Sequence, residues 1–84
     1  MLKIKVLGSG CSNCRALEHV TRQAIAALGI DAEIIKVQEF SEIMQYKILA
    51  TPVLVINEKV VVSGRVPGID QVTSLIADAA MEVA

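Results

Sequence analysis

Cys11 and Cys14 are the only cysteines in the chain, and they stand two residues apart in Gly8-Ser9-Gly10-Cys11-Ser12-Asn13-Cys14. An apolar run from Ile4 to Leu7 ends at the glycines, and a helical pattern opens behind the first cysteine. The segment therefore predicts Cys11 at a helix N-terminus. There the backbone N–H groups that lack intrahelical partners, and the positive end of the helix dipole, favour a thiolate over a thiol. Cysteines so placed have pKa values of roughly 3.5 to 7.5, against about 8.5 for an ordinary one. Cys14, three positions on and deeper in the first turn, is near enough to close a disulfide with Cys11. The pair reads as a nucleophile with its resolving partner, with soft-metal ligation as the rival chemistry and two inert core cysteines as the bland one.

The rest of the chain must position that pair. With 84 residues, 54% of them apolar, it makes one domain with an adequate core, since chains of this size bury somewhat over 60% of their unfolded surface. Aromatics are 2%, Phe40 and Tyr46, so the core is built from Ile, Val, Leu and Ala. A net charge of −1 and eight scattered Lys and Arg exclude a nucleic-acid footprint. Met1 to Leu7 alternates with lysines and resembles no signal peptide, and no run approaches the roughly 18 residues that span a bilayer. The expectation is a soluble, cytoplasmic protein with no membrane partner. In a reducing compartment a two-cysteine motif is catalytic or metal-binding rather than structural. A disulfide across a two-residue gap would also constrain the unfolded chain very little.

Residues 2–7 alternate Leu2, Ile4 and Val6 against Lys3, Lys5 and Leu7, a strand pattern, β1. From Ser12 to Leu28, Leu17, Val20, Ala24, Ala27 and Leu28 recur at helical spacing, and Gly29 supplies the stop; this is α1. Ala32 to Val37 reads as a buried strand, β2, close enough behind α1 for a right-handed crossover onto a parallel neighbour. Ser41 offers a cap for a short helix, α2, running to about Ile48. Pro52 to Ile56 and Lys59 to Val62, joined at Asn57-Glu58, read as a hairpin of strands β3 and β4. From Asp70, Val72, Leu75, Ile76, Ala79 and Ala80 make the apolar stripe of α3, which ends near Val83. The order β-α-β-α-β-β-α implies an α/β fold with a four-stranded mixed sheet and flanking helices.

This order, with C-x-x-C opening α1 and Thr51-Pro52 immediately before β3, resembles the thioredoxin superfamily over essentially the whole chain. It looks most like the small thioredoxin- or glutaredoxin-like redox-active disulfide proteins, which share the Gly-x-Gly-Cys-x-x-Cys opening and a Thr-Pro-x-Leu-x-Ile/Val-x-Glu stretch. Here that stretch is Thr51-Pro52-Val53-Leu54-Val55-Ile56-Asn57-Glu58. The resemblance implies a single thioredoxin-like domain over residues 1–84 and Cys11 and Cys14 as the catalytic pair. It also implies a cis proline at Pro52, with the Thr51 backbone turned toward a substrate peptide that adds as a strand. It implies no cofactor, protein disulfides as substrates, a thioredoxin-reductase-like or low-molecular-weight thiol donor, and a monomer.

The chain departs from thioredoxins proper in several places. Gly10 precedes Cys11 where they carry Trp, and Ser12-Asn13 replaces Gly-Pro between the cysteines. The buried acid that many thioredoxins hold on the first strand falls at Lys5, so the sequence assigns no proton acceptor to Cys14. Residues that bind glutathione in glutaredoxins are not identifiable. His19 lies about 140° around the helix from Cys14 and should not face the thiols. Arg15 adjoins the motif, as a thiolate partner or a solvated side chain, and Arg65, in the loop behind the hairpin, either borders the site or, the favoured reading, lies away from it. The Gly8-Ser9-Gly10 turn lacks the Gly-Lys-Ser/Thr ending of a phosphate loop.

Two functions compete. In a thiol–disulfide oxidoreductase, Cys11 attacks a disulfide and Cys14 resolves the mixed disulfide. In a Cu(I) carrier of the heavy-metal-associated type, the same two thiolates hold the ion linearly. The first 37 residues suit both. The carrier fold, β-α-β-β-α-β, requires a strand in place of α2 and a helix in place of the hairpin, and the C-terminal half decides against it. A binding module that recruits a partner at the sheet edge would leave the cysteines unexplained.

Overall fold

The computed structural model describes residues 2–8, 10, 12–46 and 50–83, with side chains as far as residue 81. The elements run β1 (Leu2–Leu7), α1 (Ser12–Leu28), β2 (Ala32–Val37), α2 (Phe40–Met44), β3 (Val53–Ile56), β4 (Lys59–Ser63) and α3 (Ile69–Val83). The sheet order is β2-β1-β3-β4. β1 is parallel to β2, with Leu2 opposite Ala32 and Val6 opposite Lys36, and antiparallel to β3, with Leu7 opposite Val53. The strong periodicities therefore led to the right elements in the right order.

α1 and α3 lie together on one face. Leu2, Ile4 and Val6 of β1 and Leu54 and Ile56 of β3 point into that layer, where they meet Leu17, Ala24, Val72 and Ile76 from the helices. Each such Val, Leu or Ile side chain taken from water to full burial is worth about 1.5–3 kcal/mol. The alternate residues, Leu7, Val53 and Val55, point to the other face and pack with Val37 and with Ile43 of α2. On α1 the innermost line is Cys14, Leu17, Thr21 and Ala24, and the expected Ala27 is exposed. A helix advances about 100° per residue, and the line through positions 17, 21 and 24 leaves 27 on the outer side. The buried Thr21 hydroxyl donates to the Leu17 carbonyl at 2.7 Å, which satisfies it locally.

Two details differ from the sequence reading. α2 begins at Phe40 behind an extended Glu39, which makes no side-chain cap bond, so Ser41 lies inside the helix rather than capping it. The helix ends at Met44 with a turn through Tyr46, whose N–H donates to the Ile43 carbonyl at 3.1 Å; Ile48 lies outside the described residues. On β4 the register slips, with Leu54 opposite Val62 but Val55 opposite Val60. The extra residue, Val61, makes a bulge, so that Val61 and Val62 both pack toward the α1 and α3 layer, which regular alternation would forbid.

The hairpin turn has Asn57 at φ 50° and Glu58 at φ 68°, both left-handed, as the twist-matched two-residue turn requires. Asn tolerates this conformation and Glu does so poorly. Here the Glu58 carboxylate accepts from Lys5 Nζ at 2.6 Å and from Tyr46 Oη, a tertiary anchor that offsets the local preference. The turn is also tied to β1, the Asn57 N–H donating to the Lys3 carbonyl at 2.9 Å.

Candidate active site

The C-terminal ends of β1 and β2, the first turn of α1 and the segment 50–52 converge at one end of the molecule. The Gly8 N–H donates to the Val37 carbonyl at 3.0 Å, which fixes the chain leaving β1 against β2. Gly10 has φ +87°, a conformation open to glycine and strained for other residues, and the chain then turns into α1 at Ser12. On the far side, the Pro52 carbonyl accepts from the Gly64 N–H at 2.8 Å and the Ala50 carbonyl from Ser63 Oγ at 3.4 Å. These bonds pin the segment to the end of β4. They leave Thr51 exposed and Pro52 buried, and the Thr51–Pro52 peptide bond is cis.

Cys14 is the third residue of α1 and is buried, 5% exposed. Its sulfur lies directly against Gly8: a Cβ built on Gly8 would overlap Cys14 Sγ, and it would lie 4.0 Å from Thr51 Cβ. Gly8 is required by this close approach rather than by a special φ, and it is where Cys14 and Thr51 come together. Cys11 lies outside the described residues.

A pocket of about 240 Å³ opens beside Cys14, lined by Val6, Gly8, Gly10, Cys14, Arg15, Glu18, Lys36 and Gln38. Val6 and Lys36 are register partners on parallel strands and so share a face. Glu18 stands one helical turn beyond Cys14. Its Oε2 accepts from Arg22 Nε at 2.9 Å, and its Oε1 lies 3.5 Å from Lys36 Nζ. The hydrogen bond from Arg22 first, helped by the charge of Lys36, holds the Glu18 carboxyl below the usual carboxylate range. The site thus offers a buried sulfur, one ionised carboxylate and a surplus of cationic donors.

Lys5 lies on the opposite face of β1 from the Val6 side of this pocket. It donates to Tyr46 Oη at 2.8 Å and pairs with Glu58, its Nζ 5.6 Å from the centre of the Tyr46 ring. The Glu58 hydrogen bond, then that of Tyr46, raises the Lys5 pKa well above the ordinary lysine value. Lys5 therefore braces the hairpin and does not serve the thiol. His19 is exposed, and Arg65 is exposed with its Nη1 on Gln71 Oε1 at 3.3 Å. Arg15 is exposed at the pocket rim. The sequence reading missed Glu18, Lys36 and Gln38, and saw Gly8 only as a turn residue. The i, i+4 spacing of Cys14 and Glu18 was a usable signal, whereas Lys36 arrives only through strand pairing.

Residues 2–77 match the sequence model of the family described as the thioredoxin domain. The chain belongs to the thioredoxin family. At family level it is a thiol–disulfide oxidoreductase. A thioredoxin of Methanothermobacter thermautotrophicus is 35% identical over 77 residues, spanning 92% of this chain and 100% of that protein. A thioredoxin of Methanocaldococcus jannaschii is 32% identical over 72 residues, spanning 86% of this chain and 83% of that one. Among solved structures, a thioredoxin-2 described as a component of the malaria parasite protein secretion machinery superposes with a TM-score of 0.69 at 10% identity. The match covers 93% of this chain and 82% of that one, and it speaks for the thioredoxin fold alone. α2 and the β3–β4 hairpin stand where the heavy-metal-associated fold would need a strand and a helix. Among the described residues of this thioredoxin-family chain, no helix is long and apolar enough to cross a membrane.

Proposed function

We propose that residues 1–84 form one thioredoxin-like domain that reduces protein disulfides through Cys11 and Cys14. The Cys11 thiolate attacks one sulfur of the substrate disulfide, and the other substrate sulfur leaves as a thiolate. Cys14 then loses its proton and attacks the Cys11 sulfur; the bond between Cys11 and the substrate breaks, and the second substrate thiolate leaves. The substrate gains two electrons and the dithiol becomes a Cys11–Cys14 disulfide. A thioredoxin-reductase-like enzyme or a low-molecular-weight thiol returns those electrons.

The observation that supports this reading is the seat of Cys14: buried in the first turn of α1, its sulfur on Gly8, with Thr51 beside it. A resolving cysteine needs this shelter, because exposure would let it compete for substrate. Thr51, exposed next to buried Pro52, presents its backbone to an extended substrate peptide, which pairs with it as an added strand. The protein works as a cytoplasmic monomer toward the reducing end of the superfamily range, which spans roughly −270 to −120 mV.

The test is reduction of a protein disulfide by a dithiol, with purified metal-free protein. A rate enhancement that vanishes in Cys11→Ser, together with mixed disulfides trapped through Cys11 in Cys14→Ser, supports the cycle. Stoichiometric Cu(I) binding with no enhancement would replace it with the carrier reading.

A further inference from the structure

The exchange cycle has one step for which the sequence assigns no group. Cys14 is buried, and a thiol attacks only as its thiolate. Burial works against that ionisation by disfavouring the charged form. The proton must therefore pass to an acceptor within reach of the sulfur while substrate is attached at Cys11.

The pocket beside Cys14 narrows the choice. Among the described lining residues, Val6 and the two glycines carry no base, Arg15 and Lys36 are already protonated, and Gln38 is neutral. Glu18 is the remaining side chain, and it is an anion. It projects from the same side of α1 one turn beyond Cys14, a spacing that brings Cβ atoms to about 5–6 Å. Its side chain is 16% exposed, and the carboxylate is anchored through Oε2 to Arg22 at 2.9 Å. Oε1 lies 3.5 Å from Lys36 Nζ, a long contact, and an ionised carboxylate has lone pairs for further donors beside those two.

We infer that the Glu18 carboxylate is the proton acceptor that frees Cys14 for attack, with Arg22 and Lys36 as its positioning residues. This rests on the exchange cycle proposed above. In the step, the Cys14 S–H bond breaks and its proton passes across the pocket to Glu18. The new thiolate displaces the substrate sulfur from Cys11. Glu18 then surrenders the proton to solvent past the exposed Arg15 and Gln38 at the pocket rim. Because its cationic neighbours keep Glu18 ionised at neutral pH, it is ready as an acceptor in every cycle and holds the proton only transiently. Among the described residues, the charges facing Cys14 are Arg15 and Glu18 on α1 and Lys36 on β2, with Arg22 behind Glu18.

The sign of one substitution separates this role from a purely electrostatic one. An anion acting only through its field would suppress the thiolate, so Glu18→Gln would speed Cys14. An acceptor predicts the reverse. The reduced protein is mixed with excess 5,5′-dithiobis(2-nitrobenzoate) in a stopped-flow instrument between pH 5.5 and 9. The first equivalent of thionitrobenzoate reports attack by Cys11, and the second reports its displacement by Cys14.

Glu18→Gln should slow the second phase about tenfold at pH 7, leave the first within about twofold, and move the midpoint of the second-phase pH profile upward. Glu18→Asp keeps the charge and should recover part of the rate with the profile restored. It also serves as the reading should the Gln variant not fold. A second phase unchanged or faster in Glu18→Gln overturns the inference. So does equal slowing in Glu18→Gln and Glu18→Asp with no shift of the profile, which marks a structural role. Failure of the wild type to release a second equivalent would strike the exchange cycle itself.

Discussion

Among the described residues, ten buried ones meet on the face of the sheet beneath α1 and α3, whereas five meet on the α2 face. The smaller face is finished by a polar brace, Lys5 with Tyr46 and Glu58. The difference follows from helix length. α1 and α3 run 17 and 15 residues and roof their face, while the five residues of α2 cover one end of theirs. Among the described residues, the first face holds the larger apolar core. The other needs only enough cover to keep β1 and β3 dry, and it can afford charged groups at its open end.

That contrast can be broken most sharply at Ile76, fully buried between α3 and the sheet. Ile76→Ala should cost about 3–5 kcal/mol, read from the denaturant midpoint at constant slope. Gly8→Ala probes the place where the larger face meets the active site. The added methyl must displace Cys14 Sγ, and misplacement by about 1 Å is enough to lower the exchange rate roughly 100-fold. Normal exchange in this variant would mean that the sulfur has room to move without consequence.

Ile43→Ala, on the lesser face, should cost about 2 kcal/mol, the low end for such truncations, because the short α2 can settle into the gap. If it matched Ile76→Ala, the two faces would be energetically equal and the contrast drawn above would fail.

The smallest effect is expected at Glu58. Lys5 holds its carboxyl below the ordinary 4.5, so the pair stabilises the fold above that pH, and its contribution disappears as pH falls through the lowered folded value. Lys5, raised above 10.5, contributes fully below that pH and loses its contribution only as pH rises through its higher folded value. Between these limits the brace is insensitive to pH. Wild type should lose more melting temperature between pH 7 and pH 3 than Glu58→Gln does. Equal losses would show that the brace adds nothing beyond its apolar contacts.

How much of this could be read from the chain depends on the range of the interaction. β1, α1 and β2 were legible to the residue because their signals are local: alternation around Lys3 and Lys5, a stripe through Leu17 and Ala24, and Gly29 as a stop. α2 was harder because its first turn has no side-chain cap and Phe40 is 74% exposed, so neither capping nor amphipathicity marks its start. At the site, the cysteine spacing and Thr51-Pro52 are local motifs and stood out. The contact of Gly8 with Cys14, the approach of Lys36 to Glu18 and the tie from Lys5 to Glu58 all join separate elements, and no periodicity announces them. Lys5 is the clearest lesson: motif position pointed to the thiol, while strand alternation put it on the other face.

The slipped register at Val61 has a consequence beyond packing. β2 and β4 are the two sheet margins, and a bare margin invites a second copy to add itself as a further strand. On β4 the bulge breaks the even spacing of peptide groups that such an addition would follow, and β2 displays exposed Glu33 and Lys36 along its length. Both margins of a chain that is 54% apolar thus carry a feature that disfavours edge-to-edge pairing, and in the proposed cycle the one strand that adds is the substrate peptide at Thr51.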